Sequence, residues 1–154
     1  MGQYYYVVNL DKREYLHPHR MGDGLKLLEF GSSGRGTMLG LAVLLADGNG
    51  RGGGDLRSNR PIVGSWAGDR IVIAGDYADE GNFVTEADLT PEVVQKIRDN
   101  YAEPDREVMP ENVNLHLLAS VAFREVSGAV REALAEAGEG SCFQLPLIRA
   151  GWGS

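Results

Sequence analysis

The sequence predicts an α+β fold in one domain spanning residues 1–154, on three observations. Extended, β-branched or tyrosine-rich runs crowd the first half, apolar stripes at helical spacing dominate the second, and the two kinds of segment segregate more than they alternate. A chain of 154 residues with 43% hydrophobic and 24% charged residues has the composition of a packed globule with a real core.

Gln3 to Asn9 is dense in tyrosine and valine, and Glu14 to His17 follows after Leu10-Asp-Lys-Arg13, which predicts a β-hairpin. Gly24 to Phe30 reads as extended, with helix as the alternative. From Thr37 to Ala46 the chain is apolar almost all round, with Thr37 as N-cap and Asp47-Gly48 as stop, so a buried helix is expected near 37–46. Pro61 to Trp66 and Arg70 to Ala74 are β-branched runs around the turn residues Ala67-Gly-Asp69, and read as two central strands. Thr90-Pro91-Glu92 opens a short helix near 91–101, with Val93, Val94, Ile97 and Tyr101 on one side. Asn112 or Asn114 then caps a long helix near 114–137, whose stripe runs from Leu118 to Ala137 and packs across a mainly antiparallel sheet. Cys142 to Ile148 is expected as an edge strand, because Pro146 is poorly placed centrally.

Charge and composition exclude several functions. A net charge of −7 disfavours broad nucleic-acid binding, and no apolar stretch is long enough for a membrane span. Cys142 is the single cysteine, which rules out an intrachain disulfide and points to a cytoplasmic home; no export leader is expected.

Eleven of the 21 glycines fall between Gly22 and Gly54, beside Arg35, Arg51, Arg57 and Arg60. Such loops reach positive φ or approach a partner closely. Gly31-Ser-Ser-Gly-Arg-Gly-Thr37 precedes a helix start, so Ser32, Ser33, Gly34, Arg35, Gly36 and Thr37 form an expected anion site, with Arg35 adding charge. The loop imitates a P-loop but lacks its lysine, since Thr37 follows Gly36 directly, which speaks against nucleotide hydrolysis. Gly48 to Asp55 lies in a flexible loop over 47–60, where Arg51 reaches toward a ligand; Ser58 stands where a calcium-binding loop needs glutamate. Trp66, or one face of the first strand, with Tyr4 and Tyr6 on one side and Tyr5 on the other, would cover a base.

Asp69, Asp76, Asp79 and Glu80 surround the most strand-like segment, making Asp76 and Asp79 candidate ligands for Mg²⁺ or Mn²⁺. His17 and His19 are candidate metal ligands or acid–base groups, while His116 is expected to pack or cap. No Gly-x-Ser-x-Gly elbow occurs, and covalent catalysis is unsupported.

Met1-Gly-Gln-Tyr-Tyr, Val8-Asn-Leu-Asp-Lys12, Glu14-Tyr15, Gly24-Leu-Lys-Leu28 and Gly75-Asp-Tyr-Ala-Asp79 together resemble a group of short uncharacterised bacterial and phage proteins. The resemblance covers at most about half of the chain. It implies a microbial or viral origin and transfers no reaction, cofactor or site residue. The sequence thus favours a non-catalytic binder of a phosphorylated small molecule or nucleotide, one version being a phage counter-defence protein that sequesters a nucleotide signal. A metal-dependent hydrolase or phosphodiesterase and a protein–protein interaction module are the alternatives. Self-association stays open.

Overall fold

The structure, a computed structural model, describes residues 2–101, 103 and 105–140. The expected strand over 142–148 lies outside the described residues. The fold is α+β: a mixed four-stranded sheet in the order β3-β1-β2-β4, with helices against both of its faces.

Strands β1 (Tyr5–Asn9) and β2 (Glu14–Leu16) form the expected antiparallel hairpin, with Val7 opposite Leu16 and Asn9 opposite Glu14. Its turn is fixed by Asn9, which is wholly buried; its amide donates to Asp69 Oδ2 (2.9 Å) and its Oδ1 accepts from the Lys12 N–H (2.8 Å). Those bonds satisfy a polar group whose burial would otherwise destabilise the fold. Strand β3 (Ile71–Gly75) pairs antiparallel with β1, and β4 (Arg124–Glu125) runs parallel to β2. Strands β2, β3 and β4 therefore point one way, and β1 alone is reversed.

Side-chain alternation along β1 and β2 divides the core in two. Val7 and Leu16 face a cluster with Phe30, Val43, Leu44, Trp66, Val130 and Leu134. Val8 and Tyr15 face a cluster with Ile97, Leu115, Leu118 and Ala119. Helices α1 (Leu27–Gly31), α2 (Thr37–Leu45) and α5 (Ser127–Gly140) supply the first cluster, and α3 (Pro91–Arg98) and α4 (Leu115–Ala122) supply the second. Thr90 caps α3 through the Val93 N–H, with Pro91 in the first turn, as its sequence predicts.

Four expectations are corrected in detail. Gly24 to Phe30 is not extended; α1 forms there, and it buries Phe30. Pro61 to Trp66 is a succession of turns, not a strand. The Gly64 and Trp66 N–H groups donate to the Val43 and Leu44 carbonyls (2.9 Å each), completing the carboxyl end of α2, while Ile62 and Val63 pack on the first cluster. Strand β3 stands at the sheet's edge, not its centre.

The C-terminal helix is present, but in two parts. Phe123 leaves α4 with ψ near 156°, Arg124 N–H donates to the Arg13 carbonyl (3.1 Å), and Val126 N–H donates to that of Tyr15 (2.9 Å). The extended break sends Leu118 and Ala119 to one face of the sheet and Val130 and Leu134 to the other, which a continuous helix cannot do.

Candidate functional site

The two glycine-rich loops lie at opposite ends of α2. Its nine residues separate them by about 13 Å of helix, so Arg35 and Arg51 do not share one site.

At the amino end, the first helical amide, that of Thr37, and two hydroxyls beside it are already engaged by a carboxylate of the chain itself. Asp23 Oδ2 accepts from the Thr37 N–H (2.7 Å), the Thr37 hydroxyl (2.6 Å) and the Ser33 hydroxyl (3.0 Å). Gly36, not Thr37, occupies the cap position, and Asp23 supplies the capping oxygen from outside the helix. A Cβ on Gly36 would lie 2.3 Å from Asp23 Oδ2, so glycine is needed for this approach. Ser32 donates its hydroxyl to the Leu28 carbonyl (2.7 Å). A cleft of about 500 Å³ lined by Met21, Gly22, Asp23 and residues Ser32 to Gly36 remains beside this network, with the exposed Arg35 on its rim.

The loop at the carboxyl end uses the same device on the surface. Asp55 Oδ2 accepts from the backbone N–H groups of Gly50 (2.9 Å), Arg51 (2.8 Å) and Gly52 (3.0 Å). These bonds, first that of Arg51, hold the Asp55 carboxyl below its ordinary pKa. Asn49 binds Leu56 twice, donating to its carbonyl (2.8 Å) and accepting from its N–H (2.9 Å). Gly48, Gly50 and Gly54 all adopt positive φ, as the glycine density predicts.

This loop borders a cleft of about 660 Å³ lined in part by Arg51, Arg57, Ser58, Asn59 and Glu136. The Arg51 and Arg57 side chains are exposed and have no ion pair or hydrogen bond among the described residues, as is true of Arg35. Glu136 is instead paired with Arg60 (2.6 Å). The cleft thus carries two guanidinium groups with no acidic partner among the described residues, while of its two carboxylates Glu136 is paired with Arg60 and Asp55 is held by backbone N–H groups.

Trp66 cannot cover a ligand. It is wholly buried in the first cluster, and its indole N–H donates to Glu14 Oε1 (2.8 Å).

A third arrangement, absent from the sequence reading, forms where β2, β3 and β4 end. His17 follows β2, Asp76 follows β3, Glu125 ends β4, and Tyr6 stands on β1 between them. The Asn114 side chain caps α4 and also donates to the Asp76 carbonyl (2.9 Å), which brings His116 onto the same edge. His116 stacks on Tyr6 with centroids 4.1 Å apart and rings 7° from parallel; His17 and Tyr15 lie 4.8 and 5.0 Å from Tyr6. Burial lowers the pKa of both histidines, outweighing the opposing influence of Glu125 on His17 and of Asp76 on His116. Both imidazoles are accordingly neutral at pH 7. His17 Nδ1 accepts from the His19 N–H (3.3 Å), which leaves the ring proton on Nε2. Only a helix cap reaching across to a strand end brings His116 here, and no sequence spacing announces that.

Of the candidate metal ligands, Asp76 Oδ1 accepts from the Tyr4 N–H (2.9 Å) and Asp79 is exposed. Among the described residues, no group of three or more His, Cys, Asp or Glu side chains has the geometry to hold a metal ion.

These features define a class: a small α+β protein whose mixed sheet lies between two helical layers, with an arginine-bearing cleft at one end of α2. No family model, curated protein or solved structure matches the chain. Among the described residues, no helix is long and apolar enough to cross a membrane.

Proposed function

We propose that this is a cytoplasmic, non-catalytic binder of a phosphorylated small molecule or nucleotide, and that the ligand's phosphate enters the cleft beside Arg51 and Arg57. The observation that carries this reading is the pair of uncommitted arginines in one cleft. Most other described arginines have an acidic partner: Arg13, Arg20, Arg60, Arg70, Arg106 and Arg124 all do. Guanidinium groups match phosphate oxygens in pairs, and a loop already tied by Asp55 and Asn49 loses little order-related entropy when it binds. The single cysteine supports the cytoplasmic assignment.

The test is thermal denaturation against inorganic phosphate, nucleoside phosphates and sugar phosphates, because a ligand selective for the native state raises the melting temperature. Wild type and Arg35→Ala are expected to be stabilised by the same ligands, and the double variant Arg51→Ala/Arg57→Ala to lose that stabilisation while keeping its unliganded melting temperature. Equal stabilisation of the double variant and wild type defeats the reading.

A further inference from the structure

The two edges of the sheet are unlike. Strand β4 is two residues long and both are charged, Arg124 and Glu125, which guards that edge against pairing. Strand β3 is five residues, Ile-Val-Ile-Ala-Gly, with no charge and no proline. Its ladder with β1 extends by one bond at each end: Leu10 N–H donates to the Arg70 carbonyl and Asp76 N–H to that of Tyr4, both at 2.9 Å. With Tyr6 opposite Ala74 and Val8 opposite Val72, the even-numbered residues turn their peptide groups inward. Ile71, Ile73 and Gly75 therefore turn theirs outward. Among the described residues, the Ile71 and Ile73 peptide groups have no partner on that side, and the Ile73 side chain is 40% exposed.

We propose that β3 pairs antiparallel with β3 of a second copy of this chain about a two-fold axis at Ile73, joining two sheets into one of eight strands. The segment Arg70-Ile-Val-Ile-Ala-Gly-Asp76 is complementary to itself in that register. Ile73 meets its own mate, Ile71 lies opposite Gly75, and Val72 lies opposite Ala74, so large side chains face small ones. Arg70 lies opposite Asp76 twice, once on each side of the axis, and cross-strand opposite charges favour pairing. Both groups have capacity left for this contact. Arg70 is 72% exposed and bonds Asp11 through Nε and one terminal nitrogen, while Asp76 uses Oδ1 for the Tyr4 N–H. The arrangement is isologous and closed, so it ends at two chains.

Sedimentation equilibrium over a range of micromolar concentrations, with amide exchange by NMR, tests this. Wild type is expected at twice the chain mass, with the Ile73 amide protected although no acceptor for it lies among the described residues of its own chain. Ile73→Pro removes an N–H that the internal ladder does not use, and Ile73→Lys sets two ammonium groups face to face. Each is expected to raise the dimer dissociation constant about tenfold or more with an unchanged circular dichroism spectrum. Wild type at single-chain mass, a freely exchanging Ile73 amide, or a dimer that both variants leave intact overturns the proposal.

Discussion

The loops at the two ends of α2 solve one problem in two settings. Each offers donors that an incoming anion would occupy, and each gives them to a carboxylate from its own chain: Asp23 takes one backbone N–H and two hydroxyls, Asp55 three backbone N–H groups. Asp23 works against the core: its acceptor oxygen serves a fully buried Thr37 at the start of a helix that carries Val43 and Leu44 into the first cluster. Asp55 ties only its own exposed loop. A carboxylate built into a helix start is therefore a structural part, whereas the same contact on a surface loop shapes a cleft beside arginines that have no partner among the described residues.

The largest effect is expected from breaking the amino-terminal network. Asp23→Ala removes the cap and strands the buried Thr37 hydroxyl, which should lower stability by about 1–3 kcal/mol in urea denaturation. A loss well below that would place Asp23 and Asp55 in one class. Gly36→Ala should reproduce much of the defect without touching the carboxylate, because the new methyl would occupy its position. Its effect is expected to be small in an Asp23→Ala background, and full additivity of the two changes would show that they act on separate features.

Acid sharpens the contrast between these loops and the histidine edge. His17 and His116 have lowered pKa values in the folded protein, so below their ordinary value of 6.5 the unfolded chain binds more protons than the native one. Stability is complete above pH 6.5 and declines as pH falls from there through the folded pKa values. His116→Gln should flatten that part of the curve. The Asp55 contact lies in a different window: its carboxyl is held below 3.8, so its contribution is present above that value and is lost only as pH falls through the lower, folded value. Denaturation curves between pH 7 and 4 should respond to the histidine substitution and not to Asp55→Asn.

Much of this fold was legible in residue patterns, and the failures share a physical cause. The hairpin, α2, α3 and the C-terminal helical stripe follow from local periodicity and capping at Thr90 and Asn114. Pro61 to Trp66 misleads because β-branched residues that fill a core from turns look like those of a strand. The break at Phe123 to Glu125 was invisible because β2 offers the competing partner, and that pairing is tertiary. The glycine loops were found by composition alone, but the carboxylates that occupy their amides come from Asp23 and Asp55, and the first of these is 14 residues from Thr37. The edge that gathers Tyr6, His17 and His116 spans more than 100 positions of chain and exists only once the sheet is assembled.

The smallest effect on stability, and the most telling for function, belongs to Asp55→Ala. The residue is half-buried and its three bonds are local, so the global melting temperature should stay close to wild type. Its consequence should be confined to the loop, with faster exchange of the Gly50, Arg51 and Gly52 amides and a looser Arg51. If the cleft binds phosphate through a pre-formed loop, this variant should bind inorganic phosphate or a nucleotide more weakly than wild type despite having lost a negative charge. Electrostatics alone predicts the opposite, since removing a carboxylate beside Arg51 favours an anion and frees three donors for it. Titration calorimetry of Asp55→Ala against wild type therefore separates a loop that Asp55 organises for a ligand from one in which Asp55 competes with the ligand for the same amides.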